Sequence, residues 1–149
     1  YRPYHDRLRG LLVKTHARFG YAVLVDCHSM PANAQAGSRE RPDFVIGDRY
    51  GTSATEELSR LAVDVLQDLG YTVSRNKPYA GGFITEHYGR PARGLHALQI
   101  EINRSLYVNE QTFEKTHGFG DLANNLTQFM QLLTEYFSSN HSDVAMAAE

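Results

Sequence analysis

The sequence is short of cysteine, of surplus basic charge and of long apolar runs, and each shortage removes a class of protein. Its single cysteine, Cys27, has no partner within the chain, and no CxxC or Cys/His ladder accompanies it. Disulfide scaffolds and thiolate zinc fingers are therefore excluded, and a reducing, cytoplasmic setting is expected. Fifteen Lys and Arg against seventeen Asp and Glu give a net charge of −2. That is no field for a phosphate backbone, so nucleic acid is not expected as a partner. Apolar runs such as residues 22–25 fall far below the roughly 18 to 20 residues that a membrane helix needs, so no membrane partner is expected either. Neither an internal repeat nor an HExxH or HxxE motif is present. What remains is 149 residues, 42% hydrophobic and 21% charged, enough for one sizeable core. The chain opens on Tyr1 rather than Met, in helix-like text, which leads us to expect further sequence upstream.

Periodicity organises the chain as an α/β unit. Over residues 3–19, Leu8, Leu11, Leu12 and Phe19 follow a helical period, Pro3 suits the first turn and Gly20 the stop. Residues 21–26 read as a strand covered on both faces, and 29–42 as a long loop. A short strand at 44–46 leads into a helix opened by a Ser53/Glu56 capping box. That helix carries the stripe Leu58, Leu61, Ala62, Val65, Leu66 and Leu69 and stops at Gly70. A strand at 71–73 follows, so strand, helix and strand predict a right-handed parallel crossover. Residues 76–94 read as loop with a brief strand at 83–85, and 95–103 as a further strand. A helix over 121–137 directs Leu122, Leu126, Phe129, Met130, Leu133 and Phe137 one way. The expected domain is 1–137, with a disordered tail over 138–149.

In open α/β sheets, ligands gather at the carboxyl ends of strands, and two such ends carry chemistry. At the first, the period of two puts Asp26 and His28 on one side. His28 is either a metal ligand oriented by a nearby carboxylate or a hydrogen-bonded turn residue. At the second, Leu98, Ile100 and Ile102 face one layer, while Gln99, Glu101 and Asn103 face the other. A carboxylate on an inner strand is costly unless partnered. Glu101 is thus either functional or in a structural ion pair with Arg93, Arg104 or Arg49. A histidine on one strand end and a glutamate on another suit a zinc hydrolase, imidazole on the metal and carboxylate as general base. One ligand does not hold zinc, however, and His5, His16, His87, His96 and His117 read as surface or packing residues.

Five ordered motifs carry a resemblance: YRPYH at 1–5, VDCHSMP at 25–31, GDRYGTS at 47–53, PYAGGFITEHYGRP at 78–91 and ALQIEINRSLY at 97–107. Together they resemble the N-formylglutamate amidohydrolase family and, through it, the zinc carboxypeptidases. The resemblance implies a three-layer α/β/α fold with a largely parallel or mixed sheet, phosphorylase/hydrolase-like and related to zinc carboxypeptidases. It further implies zinc as cofactor, His28 as the last zinc ligand and Glu101 as the catalytic carboxylate, with Asp26 and Ser29 expected to support His28 from its own strand end. The first two ligands would precede Tyr1, making this chain the C-terminal part of a catalytic domain. Tyr79, before Gly81 and Gly82, would match a mobile active-site tyrosine. The implied reaction is hydrolysis of N-formyl-L-glutamate to formate and L-glutamate, in histidine breakdown. Such a dianion needs cationic anchors, for which Arg49 and Arg104 lead, with Asn103 beside them and Arg75, Arg90 and Arg93 behind. Competing expectations are another N-acyl amino acid or short peptide as substrate, or a non-catalytic binding domain.

Overall fold

The computed structural model describes residues 1–32 and 41–140. Its elements are α1 (Arg2–Phe19), β1 (Ala22–Met30), β2 (Phe44–Gly47), α2 (Glu56–Asp68), β3 (Val73–Arg75), α3 (Phe83–Tyr88), β4 (Leu95–Asn103) and α4 (Phe119–Asn140). Short 3₁₀ turns at Pro91–Arg93 and Arg104–Leu106 flank β4. The four strands form one mixed sheet in the order β1-β4-β2-β3. β1 and β4 run parallel, β2 is antiparallel to β4, and β3 is parallel to β2. The β2–α2–β3 unit is thus the expected parallel crossover. No helix among the described residues is long and apolar enough to cross a membrane.

One face of the sheet builds the core. Phe44, Ile46, Leu98 and Ile100 pack against Leu58, Ala62 and Leu66 of α2 and against Leu122, Phe129 and Leu133 of α4. Each fully buried Leu, Ile or Phe contributes about 1.5 to 3 kcal/mol, so this face dominates the stability of the sheet. The opposite face carries the polar residues of β4. α3 is seated there by a hydrogen bond from its N-cap Gly82 to Gln99, and α1 reaches α3 through a His5–Tyr88 contact.

Several boundaries differ from the expectations, each for a physical reason. β1 continues past residue 26 to Met30, because β4 offers register partners along its full length. The α2 cap is Thr55, whose side chain accepts from the Leu58 N–H, rather than Ser53. Ser53 is diverted: its hydroxyl donates to the Ala97 carbonyl of β4. β3 starts two residues later than expected. The brief strand expected at 83–85 is instead the first turn of α3. The α1 stripe is only partly covered, with Leu11 and Phe19 about half exposed, and Met130 on α4 is 43% exposed. The last helix runs to Asn140, through the first residues of the expected tail; residues 141–149, and 33–40 of the expected loop, lie outside the described residues.

A buried ionic knot fixes the turn after β2. Asp48 is fully buried and accepts hydrogen bonds from Ser59, Arg75, Asn76 and the Gly51 N–H. Burial alone would push its carboxyl up, but these four donors together hold it below the usual carboxylate range. Arg49 and Tyr50, which follow it, both adopt positive φ, 55° and 56°. Gly47 completes the turn by close approach. A Cβ there would stand 2.7 Å from the Gly81 nitrogen, so only glycine lets the Ala80–Gly81 backbone lie on the sheet.

Candidate active site

The parallel register of β1 and β4 makes His28 and Glu101 direct neighbours, with Asp26 opposite Gln99 one step earlier. Paired residues in a parallel ladder project to the same face, so all four side chains meet at the carboxyl ends of these strands. His28 lies on a strand rather than in a turn, and its side chain is 46% exposed. Its Nε2 is 3.0 Å from Asp26 Oδ2, and its Nδ1 is 3.9 Å from Glu101 Oε1. The Asp26 carboxylate accepts, so whenever the ring holds a single proton that proton sits on Nε2. In that singly protonated form, Nδ1 is the lone-pair nitrogen, on the side facing Glu101.

Glu101 is 7% exposed. Burial pushes its carboxyl above the ordinary range and the charge of Asp26 adds to this, while His28, the Gln99 amide and Arg104 pull it back. Among the described residues no arginine comes within ion-pair distance of it, which disposes of the structural ion pair weighed from sequence. Arg49 pairs with Glu86 at 3.2 Å, Arg104 with Glu110 at 3.4 Å, and Arg75 is committed to Asp48 and Glu56. A buried carboxyl of raised pKa beside an oriented imidazole can take up a proton and give it back.

The remaining sequence candidates surround this pair unevenly. Ser29 Oγ accepts from Arg104 Nε at 3.3 Å, which ties the end of β1 to the segment after β4. Asn103 is occupied locally: its Oδ1 accepts from the Ser105 N–H and hydroxyl, and its Nδ2 donates to the Pro42 carbonyl. The Tyr79 hydroxyl accepts from Arg41 at 3.1 Å. The loop it begins reaches the site through Gly82. Arg49 follows that loop, donating its N–H to the Ala80 carbonyl at 2.7 Å and its guanidinium to that of Gly81. His5 and His16 pack as expected, on Tyr88 and the Arg93 carbonyl. A cleft of about 380 Å³ touches His28, but Ile102, Leu122 and Leu126 also line it, so it opens on the α4 side; Glu101 does not line it.

Gln99 is the residue that sequence reasoning passed over. Its side chain, 5% exposed, bridges Gly82 and Glu101. The available signal was its place two residues before Glu101 on the same polar face.

Among the described residues no group of three or more His, Cys, Asp or Glu side chains is arranged to hold a metal ion. His28 with its orienting Asp26 has the donor chemistry of one zinc ligand, since zinc-bound imidazoles commonly pass their other N–H to a carboxylate. It is not a complete set.

These features define an α/β protein whose adjacent parallel strands present an acid–imidazole pair at their carboxyl ends. Residues 1–108 match the N-formylglutamate amidohydrolase family, and the chain belongs to that family. It is 38% identical over 112 residues to the N-formylglutamate deformylase of Pseudomonas putida and 37% identical over 111 to that of Pseudomonas aeruginosa. These matches take in 74% and 73% of this chain but 42% of each relative, so the chain spans less than half their length. The crystal structure of N-formylglutamate amidohydrolase from Ralstonia eutropha superposes with a TM-score of 0.88 at 40% identity. It is matched over 94% of this chain and 52% of its own. A protein of Agrobacterium tumefaciens, 23% identical with a TM-score of 0.64 over 93% of this chain and 52% of its own, shares the fold.

Proposed function

We propose that this chain carries the His28–Glu101 portion of a zinc-dependent amidohydrolase site that cleaves N-formyl-L-glutamate to formate and L-glutamate. The observation that carries the reading is the pairing of these residues across β1 and β4, with imidazole and carboxylate 3.9 Å apart. Family membership and the names of the relatives support the substrate. His28 would hold zinc through Nδ1 while Asp26 fixes the ring, and the other ligands would come from outside the described residues. A bound zinc ion supplies Lewis acidity towards the formyl carbonyl and the attacking water.

Glu101 takes a proton from water as the water oxygen bonds to the formyl carbon. When the C–N bond breaks, Glu101 returns that proton to the departing amino group of glutamate. The upward push that burial gives its carboxyl suits both halves of this exchange. Arg104 and Arg49 serve as anchors for the two substrate carboxylates in this reading. Tyr79 closes the site from the loop, and Asn103 fixes the segment that carries Arg104. We place the reaction in histidine degradation, in the cytoplasm.

Formate release from N-formyl-L-glutamate, N-formyl-L-methionine and acetate release from N-acetyl-L-glutamate test the assignment. A site built on two carboxylate anchors should disfavour the methionine compound by about 10⁴-fold in kcat/KM. Equal rates on both formyl compounds would contradict the choice of substrate.

A further inference from the structure

Gln99 lies between two parts of the molecule that the proposed reaction needs together. Its Oε1 accepts from the Gly82 N–H at 2.7 Å, and its Nε2 donates to Glu101 Oε1 at 2.9 Å. Chemistry fixes the orientation of this amide. The Gly82 N–H only donates, so the carbonyl end must face it, and the NH₂ end is then obliged to face the carboxylate. The bond to Glu101 is buried, where an unmet partner is costly, and the bond to the Gly82 N–H is partly buried.

The bridge is asymmetric at the glutamate. Gln99 and His28 both face Oε1, and among the described residues no hydrogen bond reaches Oε2. At the other end, Gly82 is the N-cap of α3, its carbonyl accepts from Thr85 Oγ1 at 2.8 Å, and a Cβ on it would come within 3.3 Å of Gln99 Oε1. The preceding Ala80–Gly81 backbone rests on Gly47, the β2 register partner of Gln99. One side chain therefore spans from the loop that begins at Tyr79 to the carboxylate on β4.

We infer that Gln99 is a positioning residue, which holds Glu101 by Oε1, leaves Oε2 for proton transfer, and joins the rotamer of Glu101 to the seat of the Tyr79–Gly82 loop. The catalytic half of this inference rests on the proposed function; the link between loop and carboxylate does not. Two substitutions separate the ends of the bridge. Gln99→Glu keeps an acceptor for the Gly82 N–H and replaces the amide donor to Glu101 with a second carboxyl, which competes with Glu101 for one proton. Gln99→Met keeps the volume and removes both.

Hydrogen exchange at the Gly82 amide reads the loop end, and formate release with zinc present reads the other. Gln99→Glu should leave Gly82 protection within about 3-fold of the parent and lower kcat at least about 10-fold with KM little changed. Gln99→Met should lose protection by about 10-fold or more and lower kcat as well. Adding Gln99→Met to Glu101→Gln should slow turnover no further, because Gln99 acts through Glu101. Glu101→Ala should speed Gly82 exchange by about 3-fold or more, since it frees the Gln99 amide. Parent kcat in Gln99→Glu, or unchanged Gly82 exchange in Gln99→Met or Glu101→Ala, would overturn the inference. Absence of formate release from the zinc-loaded parent completed with the polypeptide that supplies the remaining ligands would instead remove the proposed function and the catalytic half, and the exchange results would still decide the link.

Discussion

At the scale of single residues, the pair at the strand ends is arranged for chemistry at some expense of stability. Burial raises the carboxyl of Glu101, so its charged form is disfavoured in the folded protein relative to the unfolded chain. A raised carboxyl contributes stability below its unfolded value, about 4.3, and loses it as pH rises through the folded value. Glu101→Gln should accordingly melt at the same temperature as the parent or higher at pH 7, with any gain shrinking as pH falls towards 4; a lower melting temperature at pH 7 would contradict the burial argument. Arg104→Gln should raise KM for N-formyl-L-glutamate by about 10-fold or more, as loss of a carboxylate fork predicts. Steady-state kinetics would show it, and an unchanged KM would remove Arg104 as an anchor. The alternation of β4 exposed Glu101 in the sequence, and the DxH spacing exposed His28. Gln99 stayed hidden because its second partner is a backbone N–H seventeen residues away, which no side-chain pattern records.

At the scale of elements, local signals held where the partner was local and failed where a distant contact intervened. The apolar stripe of α2 and the stop at Gly20 depend on the helix itself, and both are present. Ser53 and Glu56 had the spacing of a cap, but Ser53 was taken by the Ala97 carbonyl and Thr55 capped instead. The polar run at residues 26–29 hid the end of β1, since a strand end that carries a site does not look like a strand. The turn between β2 and α2 offers two tests. Asp48→Asn breaks a buried ion pair and should cost about 3 to 5 kcal/mol in denaturant unfolding. With its carboxyl held low, Asp48 contributes stability above its unfolded value of about 3.9 and loses it as pH falls through the folded value. The loss from Asp48→Asn should therefore be largest near neutral pH and fade in acid. Gly47→Ala should cost about 1 to 3 kcal/mol by overpacking against Gly81, and should speed exchange at the Gly82 amide; a neutral effect on both would place the loop elsewhere.

At the scale of the whole molecule, the mixed sheet that the described residues form, with one well-filled face, presents a polar pair on the other. The family's fold was readable in the order of five motifs. Strand order was not, because β4 sits between β1 and β2 through pairings between residues far apart in the chain. The described residues offer one imidazole suited to zinc, and the account assigns the remaining ligands to polypeptide outside them. The most direct test is to measure bound zinc and formate release together for the protein completed with the polypeptide that supplies the remaining ligands, and for its His28→Ala and Glu101→Gln variants. The account predicts about one zinc per site and turnover in the parent, loss of both with His28→Ala, and full zinc with turnover reduced about 10²- to 10⁴-fold with Glu101→Gln. Parent-level turnover in Glu101→Gln, or parent-level zinc and turnover in His28→Ala, would contradict it.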